Sequence, residues 1–406
     1  MLIEKLQQIG VAILAILLFA GSSIEKLSAQ ATSALTDKKI ASIFALEKKY
    51  LEDTFKTVKA TGKMPRSTMK GFQPISDWTS GFYPGNLWLV YEFTGDNDIL
   101  KKAEYATALV EDNKYYTHDH DIGFMIYSSY GNGYRITKNE KYKQVIIEAA
   151  KTAIKRYDPK VKSILSWAPN VARDWKFPVI IDNMINLELL LKATRFTGDS
   201  TYYNIAINHA NTTMKNQYRA DYSCSHVVDY DPATGKMRKR DWNNGDSNPE
   251  TASWSRGQSW GLYGFGFMYK YTEKKEYLAQ AENVAAYILN NPNMPEDMVP
   301  YWDYRAPKYP TMRDASAAAL LASGLMQLAE VSRENGKKYF KAGEKILESL
   351  SSGTYLNESG KGDYLLKHAT GNFLRNSELD AGLIYADYYF LEALLRYQKL
   401  KKTFGH

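Results

Sequence analysis

Cysteine is almost missing from this chain of 406 residues. The single Cys224 excludes an intrachain disulfide and a cysteine-built metal site. Histidine is sparse too: six scattered copies leave little for a structural zinc, and no metal or other cofactor is expected. Sustained strand alternation is nearly absent. So are the short catalytic signatures: there is no G-x-S-x-G, no Walker-type phosphate loop, no G-x-G-x-x-G and no H-E-x-x-H. Long apolar runs are lacking as well. The most pronounced covers residues 11–20, and ten residues fall short of the roughly 20 that span a bilayer.

That short run has another meaning. Lys5 precedes it, and small residues ending in Ser28-Ala29-Gln30-Ala31 follow, which is the pattern of a secretory signal peptide. Residues 1–31 are therefore expected to be removed, leaving 32–406 as one soluble domain, free of the membrane, in the periplasm. Lys5 and Lys26 are matched by Glu4 and Glu25, so the mature chain keeps the formal charge of +7. Spread over so large a domain, that balance does not indicate nucleic acid, and it is compatible with small acidic substrates.

What the chain does have is apolar and aromatic material. With 44% hydrophobic residues, 31 Tyr, 15 Phe and 8 Trp, it can fill a large core, which excludes disorder. Helical periodicity predicts helices near 38–60, 79–93, 98–113, 121–136, 140–156 and 179–196. Six more are predicted near 200–217, 256–271, 276–290, 314–331, 337–351 and 380–398. Several turns between them look alike. Phe93-Thr94-Gly95-Asp96 resembles Phe196-Thr197-Gly198-Asp199, and Ile136-Thr137-Lys138 resembles Tyr271-Thr272-Glu273, with Ser332 a weaker copy. An aromatic closes one helix, the turn caps both, and a later Tyr packs back. The copies recur at irregular intervals, so an open solenoid of fixed period is not expected. Twelve helices paired by short turns predict an all-α fold, an (α/α)6 barrel of six helical hairpins.

Longer segments at 62–78, 158–178, 218–255, 292–313 and 353–379 break the helical pattern and are rich in Trp, Asp, Pro and Gly. Loops of that length in a compact domain usually carry function. Gathered at one end of a barrel, they would wall an acidic pocket with aromatics, as a sugar site requires.

Asp182 is the most informative single residue. It follows Val179-Ile180-Ile181, apolar enough to be core, and a carboxylate buried there is costly unless protonated or partnered. Such surroundings raise a carboxyl pKa toward that of a general acid working near neutrality. The competing assignment is a helix N-terminal Asp held by the helix dipole. Asp121, in His120-Asp121-Ile122-Gly123-Phe124, reads alone as an N-cap, yet two carboxylates at the same end of adjacent inner helices could form an acid/base pair. His118-Asp119-His120-Asp121 has no second ligand cluster to support a metal. Further along, Arg256 offers a fork for a carboxylate, Gln258 a neutral hydrogen-bonding group, Trp260 a stacking face and His226 a group for a hydroxyl.

Together, His120-Asp121-Ile122-Gly123-Phe124, Ile180-Ile181-Asp182-Asn183, Arg256-Gly257-Gln258-Ser259-Trp260-Gly261 and Ser76-Asp77-Trp78-Thr79-Ser80-Gly81 resemble the unsaturated glucuronyl hydrolase family. The resemblance spans essentially the whole mature chain. It implies an (α/α)6 barrel that releases 4,5-unsaturated glucuronic acid from the non-reducing end of lyase-made oligosaccharides; the protein is expected to act as a monomer, without a cofactor. It also implies Asp182 as general acid/base, Asp121 as its partner, and substrate contacts from Trp78, Trp167, His226 and Gln258. Related unsaturated rhamnogalacturonyl hydrolases would show Arg-Gly-Asn where this chain has Arg256-Gly257-Gln258. The chain departs from the family at Ile384-Tyr385-Ala386-Asp387-Tyr388, where a Trp-Gly is expected before the Asp-Tyr. A saturated-sugar glycosidase and a non-catalytic glycan-binding protein are the alternatives from other classes. The basic run Lys236-Met237-Arg238-Lys239-Arg240 is expected either to fold over the pocket and read sulfate or to lie as a solvated turn.

Overall fold

Among the described residues, six helical rods are apolar nearly all round and six on one face, and this difference sorts them into two rings. The computed structural model describes residues 35–243 and 248–404; the signal-peptide expectation on residues 1–31 lies outside them. The inner rods are α2 (Phe82–Thr94), the pair α4 (Ile122–Ile126) and α5 (Asn132–Thr137), α7 (Asn183–Thr197), α9 (Ser255–Thr272), α11 (Ala315–Val331) and α13 (Ile384–Phe404). In α11 every residue from 315 to 329 is buried. The outer rods are α1 (Asp37–Thr61), α3 (Asn97–Leu109), α6 (Glu140–Ala153), α8 (Ser200–Asn216), α10 (Lys275–Leu289) and α12 (Gly336–Leu350). In α12 the buried set is Gly336, Tyr339, Phe340, Gly343, Ile346, Leu347 and Leu350, a one-sided stripe at helical spacing.

The inner rods pack side by side in chain order, and α13 closes the ring against α2. This is the expected (α/α)6 barrel. A one-turn π-helical bulge, Tyr127–Gly131, joins α4 to α5 within one continuous rod.

The repeated turns share one construction. After α2 and α7 the chain turns left-handed at Gly95 (φ 67°) and Gly198 (φ 76°), where a side chain would be strained. Thr94 and Thr197 each donate back to a helix carbonyl at 2.8 Å, and accept the amides of Asp96 and Asp199 at 3.2 and 3.1 Å. Those aspartates then cap α3 and α8. Lys138 and Glu273 adopt the same left-handed turn without glycine. Ser332, the weaker copy, ends α11 with extended backbone.

Among the described residues, three small antiparallel sheets decorate the barrel: β1 (Met64–Ser67) with β2 (Gly71–Gln73), β3 (Tyr157–Asp158) with β4 (Ser163–Ile164), and β5 (Pro178–Ile180), β6 (Val227–Tyr230) and β7 (Met237–Asp241) in that order. The helix expected from residue 179 therefore begins at Asn183. Val179 and Ile180 pair with Val228 and Val227 instead, because a short apolar run of branched residues suits a buried strand as well as a helix.

Candidate active site

The inner helices start at the same end of the barrel, so their N-termini converge on one mouth. A cavity of about 310 Å³ opens there, and its lining includes Trp78, Asp121, Trp167, Asp182, His226 and Arg256. Six of the eight side chains singled out from sequence thus meet in one place. Converging helix N-termini carry partial positive charge and favour an anionic guest.

Asp121 stands at the N-cap position of α4 and Asp182 at that of α7, and neither makes a capping hydrogen bond. Other N-cap side chains do: Asp96, Asn139, Asp199 and Asp314 each accept helix amides. The two mouth aspartates instead hold their carboxyls at the cavity. Their helices can approach because Gly123 has no side chain; a Cβ there would meet Asn186 Oδ1 at 2.3 Å. That same oxygen accepts the Phe124 amide at 3.1 Å, tying α4 to α7.

A carboxyl raised by burial stands at the mouth in Asp121. Burial pushes this carboxyl well above its ordinary value, and the charges of Asp119 and Asp182 add to the effect. Asp182 Oδ2 is buried without a hydrogen bond, 3.5 Å from His226 Nε2. Across from it, His120 Nε2 lies 3.2 Å from Asp121 Oδ1.

Aromatic rings wall the cavity. Trp78 packs 5.0 Å from Tyr385 and edge-on to Phe124, while Trp167 stacks on Trp175 at 5.7 Å. Trp254 lies 4.6 Å from His226. The segment 292–313 contributes no lining residue but supports the wall from behind, with Trp302 stacked on Phe373 at 4.2 Å.

Two predicted residues sit behind the wall, and one in the wall is already engaged. Arg256 gives its donors to Asp314 Oδ2 at 2.7 Å, Ser316 at 3.0 Å and the carbonyls of Thr370 and Gly371 at 2.6 Å. It lies between the rings of Trp254 and Tyr385. Its fork therefore clamps α9 to α11 and the 370–371 loop. Gln258, fully buried, donates to Tyr222 O and Ser253 Oγ. Two residues after Arg256, it faces about 200° away round the helix. Trp260 lies about 6 Å deeper along α9, packed on Phe124 at 5.2 Å and Tyr389 at 5.3 Å.

The basic run forms part of strand β7 and its charges are used locally. Arg238 pairs with Asp174 at 2.8 Å and with Asp229, Lys239 with Asp241 at 3.4 Å, and Arg240 donates to Asn216 O. None of the three lines the cavity.

The cations at the mouth come from segments the sequence left unassigned. Arg66 holds Glu378 through two hydrogen bonds of 3.0 and 2.8 Å and Asp77 at 2.6 Å. Burial opposes ionisation of Glu378, but the Arg66 hydrogen bonds prevail and keep it below its ordinary range. Lys70 and Arg375 add positive charge, and Arg375 makes no ion pair among the described residues. Asp119, His120 and Asp121 could bring ligand atoms within 4.8 Å of one another. Asp119, however, already accepts the Asp121 amide at 2.9 Å and the Tyr116 hydroxyl at 2.8 Å.

Residues 53–371 match Glycosyl Hydrolase Family 88. The chain is 48% identical to an unsaturated glucuronyl hydrolase of Formosa agariphila over 331 residues, 80% of this chain and 81% of that protein. It is 32% identical to an unsaturated chondroitin disaccharide hydrolase of Streptococcus pyogenes, covering 80% of this chain and 82% of the relative. Among solved structures, an unsaturated glucuronyl hydrolase specific for heparin superposes with a TM-score of 0.85 at 41% identity, covering 90% of this chain and 99% of the other. A variant enzyme from Streptococcus agalactiae, complexed with dGlcA-GalNAc6S, superposes with a TM-score of 0.73 at 28% identity, covering 89% and 92%. A match over most of the chain, on the barrel and at the mouth just described, shows that this protein belongs to glycosyl hydrolase family 88.

Proposed function

We propose that this protein releases 4,5-unsaturated glucuronic acid from the non-reducing end of lyase-generated oligosaccharides, glycosaminoglycan fragments above all. The observation that carries this is the pair of uncapped N-cap aspartates, Asp121 and Asp182, facing one aromatic-walled cavity with a cationic rim. The rim and the helix N-termini suit the uronate's carboxylate, and the rings suit the apolar faces of a sugar. The similarity to hydrolases that act on unsaturated glucuronyl and chondroitin disaccharides supports the same substrate class here.

In this mechanism Asp182 donates a proton to C4 of the vinyl ether, and positive charge develops at C5 beside the ring oxygen. Water adds at C5 and returns its proton to Asp182. The resulting hemiketal opens by breaking the C5–O bond, and the hemiacetal left at C1 expels the aglycone as an alcohol. One water is consumed and the acid is regenerated. The usual rule relating carboxylate separation to anomeric outcome does not apply, because nothing is displaced at C1. Asp121 assists as the partner carboxyl. The acting species in this proposal is the monomer. The charged start and apolar run of residues 1–31 support export to the periplasm before catalysis.

The test is to incubate the enzyme with a lyase-made disaccharide and with its saturated counterpart, following loss of the ultraviolet absorbance of the conjugated uronate. Cleavage of the unsaturated sugar alone is expected. Cleavage of the saturated one would point to an ordinary glycosidase, and binding without turnover to a lectin-like role. Fractionation of the source cells checks the periplasmic location.

A further inference from the structure

We propose that the Tyr385 hydroxyl is a substrate contact, the hydrogen-bond partner of a ring hydroxyl on the unsaturated uronate; the proposal rests on the function given above. Tyr385 stands in the first turn of α13, where the chain departs from the family pattern. It lines the cavity and is only 2% exposed. Its ring is fixed from three sides: Trp78 packs at 5.0 Å, Phe82 at 6.0 Å, and the Arg256 guanidinium lies 5.3 Å from the ring centre.

The oxygen is placed differently from the ring. It makes no hydrogen bond among the described residues. Two other tyrosines of the same helix are satisfied within the fold: Tyr388 accepts from Asn132 at 2.8 Å, and Tyr397 donates to Glu344 at 2.8 Å. Buried hydroxyls nearly always have a partner, so one left without it in a cavity wall marks a place for a guest.

The surrounding charges indicate which part of the guest it meets. The groups facing this oxygen are Arg256, Arg66, Glu378 and Asp314. Both arginines are already paired, Arg256 with Asp314 and Arg66 with Glu378 and Asp77. This side of the cavity is therefore charge-compensated and offers a carboxylate no free cation. Burial raises the phenol's pKa, and Arg256 offsets only part of the rise, so the oxygen keeps its hydrogen and can both donate and accept. A neutral sugar hydroxyl does the same. The unsaturated uronate has ring hydroxyls at C2 and C3 alone, its C4 being part of the double bond. Tyr385 thus supplies from this wall the polar contact that the clamped Arg256 withholds.

Tyr385→Phe deletes the oxygen and keeps the ring. Its effect is read by calorimetry in the Asp182→Asn background, where the lyase-made disaccharide binds without being consumed, with 2-deoxy and 3-deoxy forms of that disaccharide alongside. Adding Tyr385→Phe should raise the Kd of the full disaccharide about 3–10-fold, the worth of one neutral hydrogen bond. A deoxy sugar that lacks the partner hydroxyl should bind both proteins alike. The melting temperature should not fall, because the oxygen bonds nothing in the fold. Unchanged binding of the full disaccharide would overturn the proposal, and so would an equal loss on all three sugars. A lowered melting temperature with binding intact would return the hydroxyl to the fold and overturn it too. Turnover by the parent enzyme is measured separately: its absence would sink the proposed function, while the binding comparison still decides the contact.

Discussion

The barrel has a cavity at each end, and their volumes are alike, about 310 Å³. What differs is how the polar groups are used. At the far end, Glu392 accepts from Ser323 at 2.5 Å and Tyr263 at 3.1 Å, and pairs with Arg396 at 3.2 Å. Arg396 reaches Gln327 as well, and Glu188 accepts from Tyr271 at 3.0 Å. That end is a closed network. At the mouth, Asp182 and Asp121 line the cavity and give no cap to their helices. A catalytic end is marked by groups withheld from the fold, and cavity size says nothing about it.

The largest effect expected is Asp182→Asn, which should cost about 10²–10⁴-fold in kcat, the usual worth of a general acid/base. The melting temperature should hardly move, because Asp182 satisfies no backbone group. A mutant that melts early but turns over normally would invert the comparison.

Arg256 tests it from the other side, since it stands at the mouth yet both its Nη1 and Nη2 already bond the fold. Arg256→Met strands Asp314, whose carboxylate is fully buried. A loss of about 3–5 kcal/mol in denaturant stability is expected. Little loss would mean that the guanidinium is held for the substrate after all.

Glu392→Gln at the far end should cost about 1–3 kcal/mol of stability by weakening the charged hydrogen bonds. Steady-state kcat and KM measured alongside should match the parent's. A kinetic defect would show that the two ends are coupled.

A further effect is tied to pH. Glu47 and Asp387 are buried together between α1, α2 and α13, and burial pushes Asp387 up to about 8 and Glu47 well above its ordinary value. Both acids are ionised in the unfolded chain above about pH 4. Between there and about pH 8 the folded state binds the extra protons, so their contribution to stability falls as pH rises. The slope is about 1.4 kcal/mol per pH unit for each proton. Glu47→Gln mimics the protonated acid and should flatten this decline in urea titrations at stepped pH.

Much of the barrel was legible because its cues are local. One-sided stripes such as that of α12 and turns such as Thr197-Gly198-Asp199 announce helices and their ends without knowledge of the fold. Sheet β5–β6–β7 was hidden, because Val179-Ile180 finds its partners nearly fifty residues later. At the site, Asp121 and Asp182 stood out as acids beside apolar residues. The commitment of Arg256 could not be read, since its partners Asp314 and Gly371 come from distant segments. Gln258 and Trp260 fall outside the cavity lining despite their proximity to Arg256 along the chain, because helical rotation and depth decide exposure. The rim cations Arg66 and Arg375 lie in a four-residue strand and a loop, too short for any periodicity to announce.

The ring closes where α13 meets α2, and near that seam Lys401 Nζ lies 3.2 Å from Asp37 Oδ1. Topologically, the order of hairpins round the barrel has no privileged first member. A linker of a few residues joining the two described ends, with the chain reopened at the exposed Gly198-Asp199 turn, would leave every helix neighbour unchanged. The mouth lies at the opposite ends of the inner helices from that turn, so a circularly permuted barrel should keep its chemistry while gaining a new pair of termini far from the substrate. Fusion partners could then be attached on the far side without crowding the entrance.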